Sequence, residues 1–497
     1  MLKRREFLVR GAQAGALAFL PSSCFWPRAD GEKGTWLNDI HSQLNRTHVR
    51  ELVRPANVDE LQAVVQRVAR DGRAVSILGG RHAMGGQQFG TETICVDAGG
   101  LDQIGPLDSK RGIVEVEGGV QWPELIAWLR SAQRGSPDGW GIVQKQTGAD
   151  RLSMGGALAA NAHGRGLTLA PMVGDVEAFT LLDARGELRR CSRTENSDWF
   201  RLVIGGYGLF GVVTSVQLRL MPRGKLQRVV EIGDTKNLAE RIEERIATGF
   251  TYGDFQYSTD IGGDTFLRRG VFSCYRPVDA DTAIPEAQSE LGREDWLRLI
   301  ALAHLDRREL FRRYTEYYQS TSGQVYWSET NQMAEYIDDY HQLLRPEIGA
   351  LADGTEMISE LYVPRPAIRD FLEAVRADML QHRANPIYGT IRWIDRDEVT
   401  VLAWARQPWA CVIVNLHTAH DQASLDVTAE HFRRLIDRAR ELDGSYYLTY
   451  HRWAKPEQVV ACHPRFGEFL RAKRKLDPDE RFQSDWYTFY REMFGSA

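Results

Sequence analysis

Three glycine-rich runs within the first 220 residues constrain this chain more than any other feature of its sequence. The first, Gly79-Gly80-Arg81-His82-Ala83-Met84-Gly85-Gly86, follows an apolar run over 74–78 that reads as a strand. Glycines at the end of a strand let successive backbone N–H groups turn to one side and form an anion-binding nest, a shape that suits a pyrophosphate. No GK[ST] follows, so the run is not a Walker loop. The GxGxxG spacing of the dinucleotide fingerprint is absent as well. Taken alone, such a run is a tight turn about as often as a phosphate cradle. His82 sets it apart, because a turn gains little from an imidazole. The second run, from Ser153 to Gly166, is rich in small residues and contains Gly155, Gly156, Asn161, His163 and Gly164. Small side chains let a backbone approach a flat ligand, or let helices pack closely. The third run, Gly205-Gly206-Tyr207-Gly208-Leu209-Phe210-Gly211-Val212-Val213-Thr214, leads into an apolar strand. Together the three point to a large, extended cofactor more strongly than any one of them does.

The surrounding pattern is α+β. A helix is predicted over 58–69, with apolar residues at Val58, Leu61, Val64, Val65 and Val68. Strands are predicted over 93–96, 113–116, 179–183 and 209–220, and a helix over 123–129. Beyond Pro222, helical periodicity over 237–246, 288–319, 367–382 and 425–442 alternates with strands near 251–257, 357–363, 388–394 and 412–417. That alternation predicts a second α+β domain, an antiparallel sheet with helices on one face. The tail over 463–490 is basic, then aromatic, and is expected to return to the first domain. Arg471, Lys473, Arg474 and Lys475 read as a solvated helix face.

With 497 residues, 43% of them hydrophobic and 26% charged, the chain has ordinary globular proportions and length for several domains. A net charge of −5 argues against a nucleic-acid partner, which needs a basic footprint. The five cysteines after Cys24 are scattered without a CxxC pair, so they read as buried thiols or at most one bridge. No HExxH or comparable ligand set points to a metal, although His417 and His420 are three apart, and no GxSxG elbow points to a serine nucleophile.

Residues 1–26 read as an export signal: Lys3, Arg4 and Arg5, then Phe7-Leu8, then an apolar run over 11–20 too short to span a bilayer. The paired arginines resemble a twin-arginine signal, which implies export machinery as a partner and a periplasmic or cell-envelope destination. Cys24 is a candidate lipid anchor. Residues 27–47 read as a polar linker.

The Gly79-Gly80-Arg81-His82 loop, the strand-turn from Val114 to Trp122, the Gly155-Gly156…His163-Gly164 stretch and Phe210-Gly211-Val212-Val213-Thr214 occur in this order. Together they resemble the FAD domain of the vanillyl-alcohol oxidase/p-cresol methylhydroxylase (PCMH) flavoprotein superfamily over residues 48–222. The resemblance implies a two-subdomain PCMH-type FAD-binding domain there, a substrate (cap) domain over 223–445 and a C-terminal segment, 446–497, closing on the flavin. It implies FAD held by Gly79, Gly80, Arg81, His82, Ala83 and Met84. Gly118, Gly148, Ser153, Gly155, Gly156, Asn161, His163, Gly164, Gly211, Val212 and Val213 complete the implied cofactor set. His82 matches a histidine often bonded covalently to the flavin methyl group. Arg81 and Ala83 replace the usual glycine and serine, which leaves covalent and non-covalent flavin both open. No second attachment cysteine stands near 148–155.

The C-terminal half resembles the aldonolactone oxidase and alditol oxidase branch. Tyr450-His451-Arg452-Trp453-Ala454-Lys455 is similar to an HWGK-like motif, and His463-Pro464-Arg465-Phe466 through Leu476-Asp477-Pro478, with Phe482 and Trp486, to the closing segment. Gly389-Thr390-Ile391-Arg392-Trp393 resembles a Glu-x-Arg substrate strand in which Thr390 replaces the carboxylate. The resemblance implies hydride transfer from a CH–OH group of a small polyol, sugar or aldonolactone to flavin, with O2 or an electron carrier as acceptor. Lys455 would then lie by the flavin, His417 would take the hydroxyl proton and Arg392 would orient the substrate. Ordinary roles for Arg392 and His417 are a salt bridge and a core histidine. Two other readings share the FAD domain: a sterol Δ24-reductase-like enzyme acting on a C=C bond, and a flavin-binding electron carrier. His82 and the export signal argue against the first.

Overall fold

The computed structural model describes residues 34–136, 139–334, 337 and 339–495, so the export signal and Cys24 lie outside the described residues. Helix Val58–Arg70 starts where Asn57 accepts a hydrogen bond from the Glu60 N–H, and it buries Leu61, Val65 and Val68. It packs on a parallel sheet in the order Glu51–Val53, Ile94–Asp97, Val75–Leu78. A second, antiparallel sheet runs Leu188–Ser192, Val176–Leu182, Val212–Pro222, Ile113–Glu117, Ile104–Asp108, with Trp140–Ile142 also paired to Val212–Pro222. The glycine runs leave and enter these strands.

Part of the segment expected as a linker is folded. Thr35–Leu37 pairs with Thr47–Val49, and the buried Asp39 carboxylate accepts from the N–H groups of His41, Ser42 and Gln43. A short-range Asp-centred turn of this kind leaves no apolar signal in the sequence.

The second half is built on an eight-stranded antiparallel sheet. Its order is Val325–Trp327, Lys225–Asp234, Arg269–Val278, Tyr252–Tyr257, Pro386–Ile394, Trp409–Ala419, Gly354–Pro364, Ser445–Tyr446. Along Gly354–Pro364, the side chains of Glu356, Ile358 and Glu360 line a cavity, while Met357, Leu361 and Val363 join the core that includes Phe371, Val375, Phe432 and Leu435 of two helices. The period of two thus separates a helix-backed face from a cavity face. Helices cover the cavity face too, which corrects the expectation of one helical face. The stretch expected as one helical region over 288–319 is two helices, Arg293–Leu305 and Arg307–Ser320, broken at Asp306, whose carboxylate caps the second.

The tail packs against the first half. Val75 N–H donates to the Arg481 carbonyl (2.7 Å), Gln483 N–H donates to the Val75 carbonyl (2.8 Å), and the Trp486 ring sits 4.8 Å from that of Tyr207. Lys473 is not on a solvated face: it is fully buried and ion-paired with Asp477, four residues on in the chain. All five described cysteines are buried free thiols. No helix among the described residues is long and apolar enough to cross a membrane.

Candidate active site

A cavity of about 1120 Å³ is lined by the glycine runs on one side and the eight-stranded sheet on the other. Gly79, Gly80, Arg81, His82, Ala83 and Met84 all line it. Arg81 adopts a left-handed φ of 56°, the conformation that glycine takes most easily. Among the described residues, none of the backbone N–H groups from Gly80 to Met84 donates to another protein group. Five successive N–H groups held this way form a nest for an anion. Gly118, Gly148, Ser153, Gly155 and Gly156 line the cavity as well, as do Gly211, Val212 and Val213. A Cβ on Gly118 would strike the Val213 carbonyl oxygen, and one on Gly155 would stand 3.1 Å from the Gly118 oxygen. The small side chains are thus required by close backbone packing around the cavity.

Two expected cofactor residues are elsewhere. Asn161 is a buried left-handed cap (φ 48°) ending the helix Met154–Ala160, and its amide bonds Asp397 and the Val173 N–H. Gly164 is turned from the cavity: its N–H donates to Gln144, and a Cβ there would meet the Lys145 carbonyl. Each is small or left-handed for a backbone reason.

His82 Nδ1 lies 2.8 Å from the ring nitrogen of His41, while His82 Nε2 is shielded from solvent near the Arg151 backbone, in a ring that lines the cavity. Desolvation, then the neighbouring His41, pull the His82 pKa down to about 3, and desolvation brings His41 to about 4. His82 is therefore a neutral imidazole in the cavity wall. The N–H nest and the close-packed glycines around the cavity fit FAD, with the pyrophosphate on the 80–84 loop and the His82 ring beside it. His41 was hidden in the stretch read as linker.

The sheet side carries a compact polar group. Glu360 is buried (2% exposed); its Oε2 lies 2.8 Å from His163 Nε2 and accepts from the Tyr362 hydroxyl (2.8 Å), and its Oε1 accepts from the Tyr450 hydroxyl (2.8 Å). Burial alone would raise the Glu360 pKa, but His163, Arg392 and the Tyr362 hydroxyl outweigh it and hold the carboxyl at about 2. Arg392 lines the same cavity, donates to Thr147 Oγ1 at 2.7 Å, and keeps a buried Nε without a partner. Glu360 pairs with Ile413, which pairs in turn with Thr390, so the three lie in one row across the sheet. Glu360 thus places a carboxylate in the row of Thr390, two strands away.

Lys455 does not join this group. It is exposed at the start of helix Pro456–Cys462 and does not line the cavity; Tyr450, five residues earlier, does. His417 is also off the wall, with Nδ1 held 2.9 Å from Glu356 Oε1. The rest of the cavity is walled by aromatic and apolar residues of the covering helices, among them Trp296, Ile300, Phe311, Tyr314 and Tyr318.

Residues 49–192 match a family described as an FAD binding domain. The chain is 23% identical over 439 residues to a decaprenylphosphoryl-beta-D-ribose oxidase of Mycolicibacterium smegmatis, covering 86% of this chain and 91% of that protein. It is 24% identical over 447 residues to an L-gulono-1,4-lactone dehydrogenase of Mycobacterium tuberculosis, covering 88% and 94%. An L-gulonolactone oxidase of Bos taurus is 23% identical over 194 residues, covering 39% and 42%.

Proposed function

We propose that this chain is an FAD-linked oxidoreductase, with its FAD held by a PCMH-type domain, that oxidises a CH–OH group of a polyol, sugar or aldonolactone. The observation that carries the reading is the buried Glu360 carboxylate, bonded to His163, Tyr362 and Tyr450 and flanked by Arg392, on the cavity wall across from the glycine nest. Relatives named for a ribose derivative and for gulonolactone fit a hydroxylated ring substrate.

When bound, FAD supplies the two-electron acceptor that takes hydride from the carbinol carbon. The chain's own residues position the substrate and move the proton. The Arg392 guanidinium, part of the cavity wall, holds a substrate oxygen by its planar donors. The Tyr450 hydroxyl gives its hydrogen to Glu360, so its oxygen can accept the hydrogen of the substrate hydroxyl. As the C–O bond becomes a carbonyl, the hydroxyl proton passes to Tyr450 and the Tyr450 proton to Glu360. The aromatic cover keeps water from the reacting carbon. Reoxidation by O2 or by a carrier belongs to the same proposal, as does export on the N-terminal signal.

Anaerobic mixing of the purified chain with polyols, sugars and aldonolactones, following loss of the oxidised flavin absorbance, tests this reading. At least one of these classes is expected to bleach the flavin. If none bleaches it while dithionite or NADPH does, the CH–OH reading is wrong.

A further inference from the structure

We propose that His304, His341, His417 and Glu356 form a binding site for one divalent transition-metal ion, Zn²⁺, that fastens the helical cover to the sheet. The inference rests on no particular substrate. Its basis is three imidazoles converging on a single carboxylate from different elements. His417 Nδ1 is 2.9 Å from Glu356 Oε1, His341 Nε2 is 2.9 Å from Glu356 Oε2, and His304 Nε2 is 3.6 Å from Oε1.

These groups are not an ordinary hydrogen-bonded cluster. The His304 side chain is only 1% exposed, and its Nε2 is buried with no hydrogen bond, while the Nε2 of His341 meets Glu356 alone. Leaving a buried imidazole nitrogen unsatisfied is costly. An ion shared with Glu356 would satisfy it. Ligand atoms of His304, Glu356 and His417 already lie within 4.8 Å of one another. One ion with bonds of about 2.0–2.2 Å can bridge such a span with small rotamer adjustments.

The donor set names the metal class. Three imidazoles and one carboxylate are typical of Zn²⁺ and its neighbours, whereas Ca²⁺ and Mg²⁺ require oxygen cages. Four protein ligands also fill a tetrahedral shell, which describes a structural ion rather than one that activates water. The ligands come from helix Arg293–Leu305, helix Tyr340–Ile348 and the strands Gly354–Pro364 and Trp409–Ala419. An ion here would tie both helices to the sheet beside Glu356, which lines the substrate cavity. Positions 304, 341, 356 and 417 are too scattered to form a spacing motif, so the sequence alone pointed to no metal.

The test uses the untagged, flavin-containing chain. After incubation with Zn²⁺ and gel filtration, elemental analysis is expected to find about one Zn per chain, with a higher melting temperature than the chelator-treated protein. Co²⁺ in place of Zn²⁺ is expected to give visible ligand-field bands of a four-coordinate site, a readout that needs no variant. The double variant His304→Ala/His341→Ala is expected to lose both the retained metal and the bands. Failure of the wild type to retain Zn²⁺ or Co²⁺ would overturn the proposal, and so would equal retention by the double variant. Flavin content measured on the same samples keeps this result separate from the flavoenzyme reading.

Discussion

The imidazoles of His41 and His82 meet ring nitrogen to ring nitrogen at 2.8 Å. Two neutral rings that close share one hydrogen, so one donates and the other accepts. The contact fixes the His82 ring in the cavity wall. Both rings are held neutral by desolvation, and a neutral nitrogen is the form that can bond to carbon.

The first prediction follows directly. Acid precipitation of the wild-type chain is expected to leave flavin in the pellet, and His82→Ala is expected to release it while still binding FAD, because the 80–84 nest is intact. His41→Phe, which removes the partner but keeps a ring, is expected to lower the attached fraction without emptying the site. Complete release of flavin from the wild-type protein would refute the covalent bond.

A second prediction separates Tyr450 from Lys455. Tyr450 lines the cavity and bonds Glu360, whereas Lys455 is exposed outside it. Tyr450→Phe and Glu360→Gln are each expected to slow flavin reduction by about 10²–10⁴-fold, the usual worth of a positioned proton acceptor. Lys455→Ala is expected to change it by no more than about 2-fold, as a surface substitution does. Stopped-flow reduction of the three variants decides the matter; a large loss in Lys455→Ala alone would reverse the assignment.

The cradle was legible in the sequence because it is local. Glycines that must turn in a loop stand next to one another, and Gly79 to Met84 all reach the cavity. The same logic misled at Asn161 and Gly164, where a left-handed cap and a tight backbone contact also demand particular residues. The polar group around Glu360 was harder to read because a sheet assembles it. Thr390 looked like a lost carboxylate until strand order put Glu360 in its row, thirty positions earlier in the chain. His41 was missed for a different reason. It sits in a polar stretch held by the Asp39 side chain, with no hydrophobic period to announce it.

A third prediction concerns Arg392. Its guanidinium bonds Thr147 through Nη2 and lines the cavity. Lysine retains the charge but cannot supply two donors in a fixed plane. Arg392→Lys is therefore expected to raise KM for the substrate by about 10-fold or more, with flavin content unchanged, since losing a charged hydrogen bond costs about 1.5–3 kcal/mol. An unchanged KM would leave Arg392 as a strut for Thr147.

The last prediction is a pH dependence of stability set by histidines away from the cavity. His451 stacks on Phe432 with ring centroids 5.0 Å apart, and His463 packs edge-on against Tyr446 at 5.1 Å. Burial, and then the nearby Arg433 or Arg406, pulls each of their pKa values from the ordinary 6.5 down to about 3. Both rings stay neutral in the native chain. In the unfolded chain they take up protons below about pH 6.5. The unfolded state then binds more protons, so stability is complete above pH 6.5 and is lost as pH falls toward 3. Each ring costs about 1.4 kcal/mol per pH unit in that window, so the pair costs about 4 kcal/mol between pH 7 and pH 5. That is a large share of the roughly 5–15 kcal/mol typical of a folded domain. Urea unfolding of the flavin-containing chain is expected to show a midpoint that holds from pH 8 to 7 and drops steeply by pH 5, and His463→Gln is expected to flatten the drop. A midpoint that does not move between pH 7 and pH 5 would mean that these rings take up protons without unfolding.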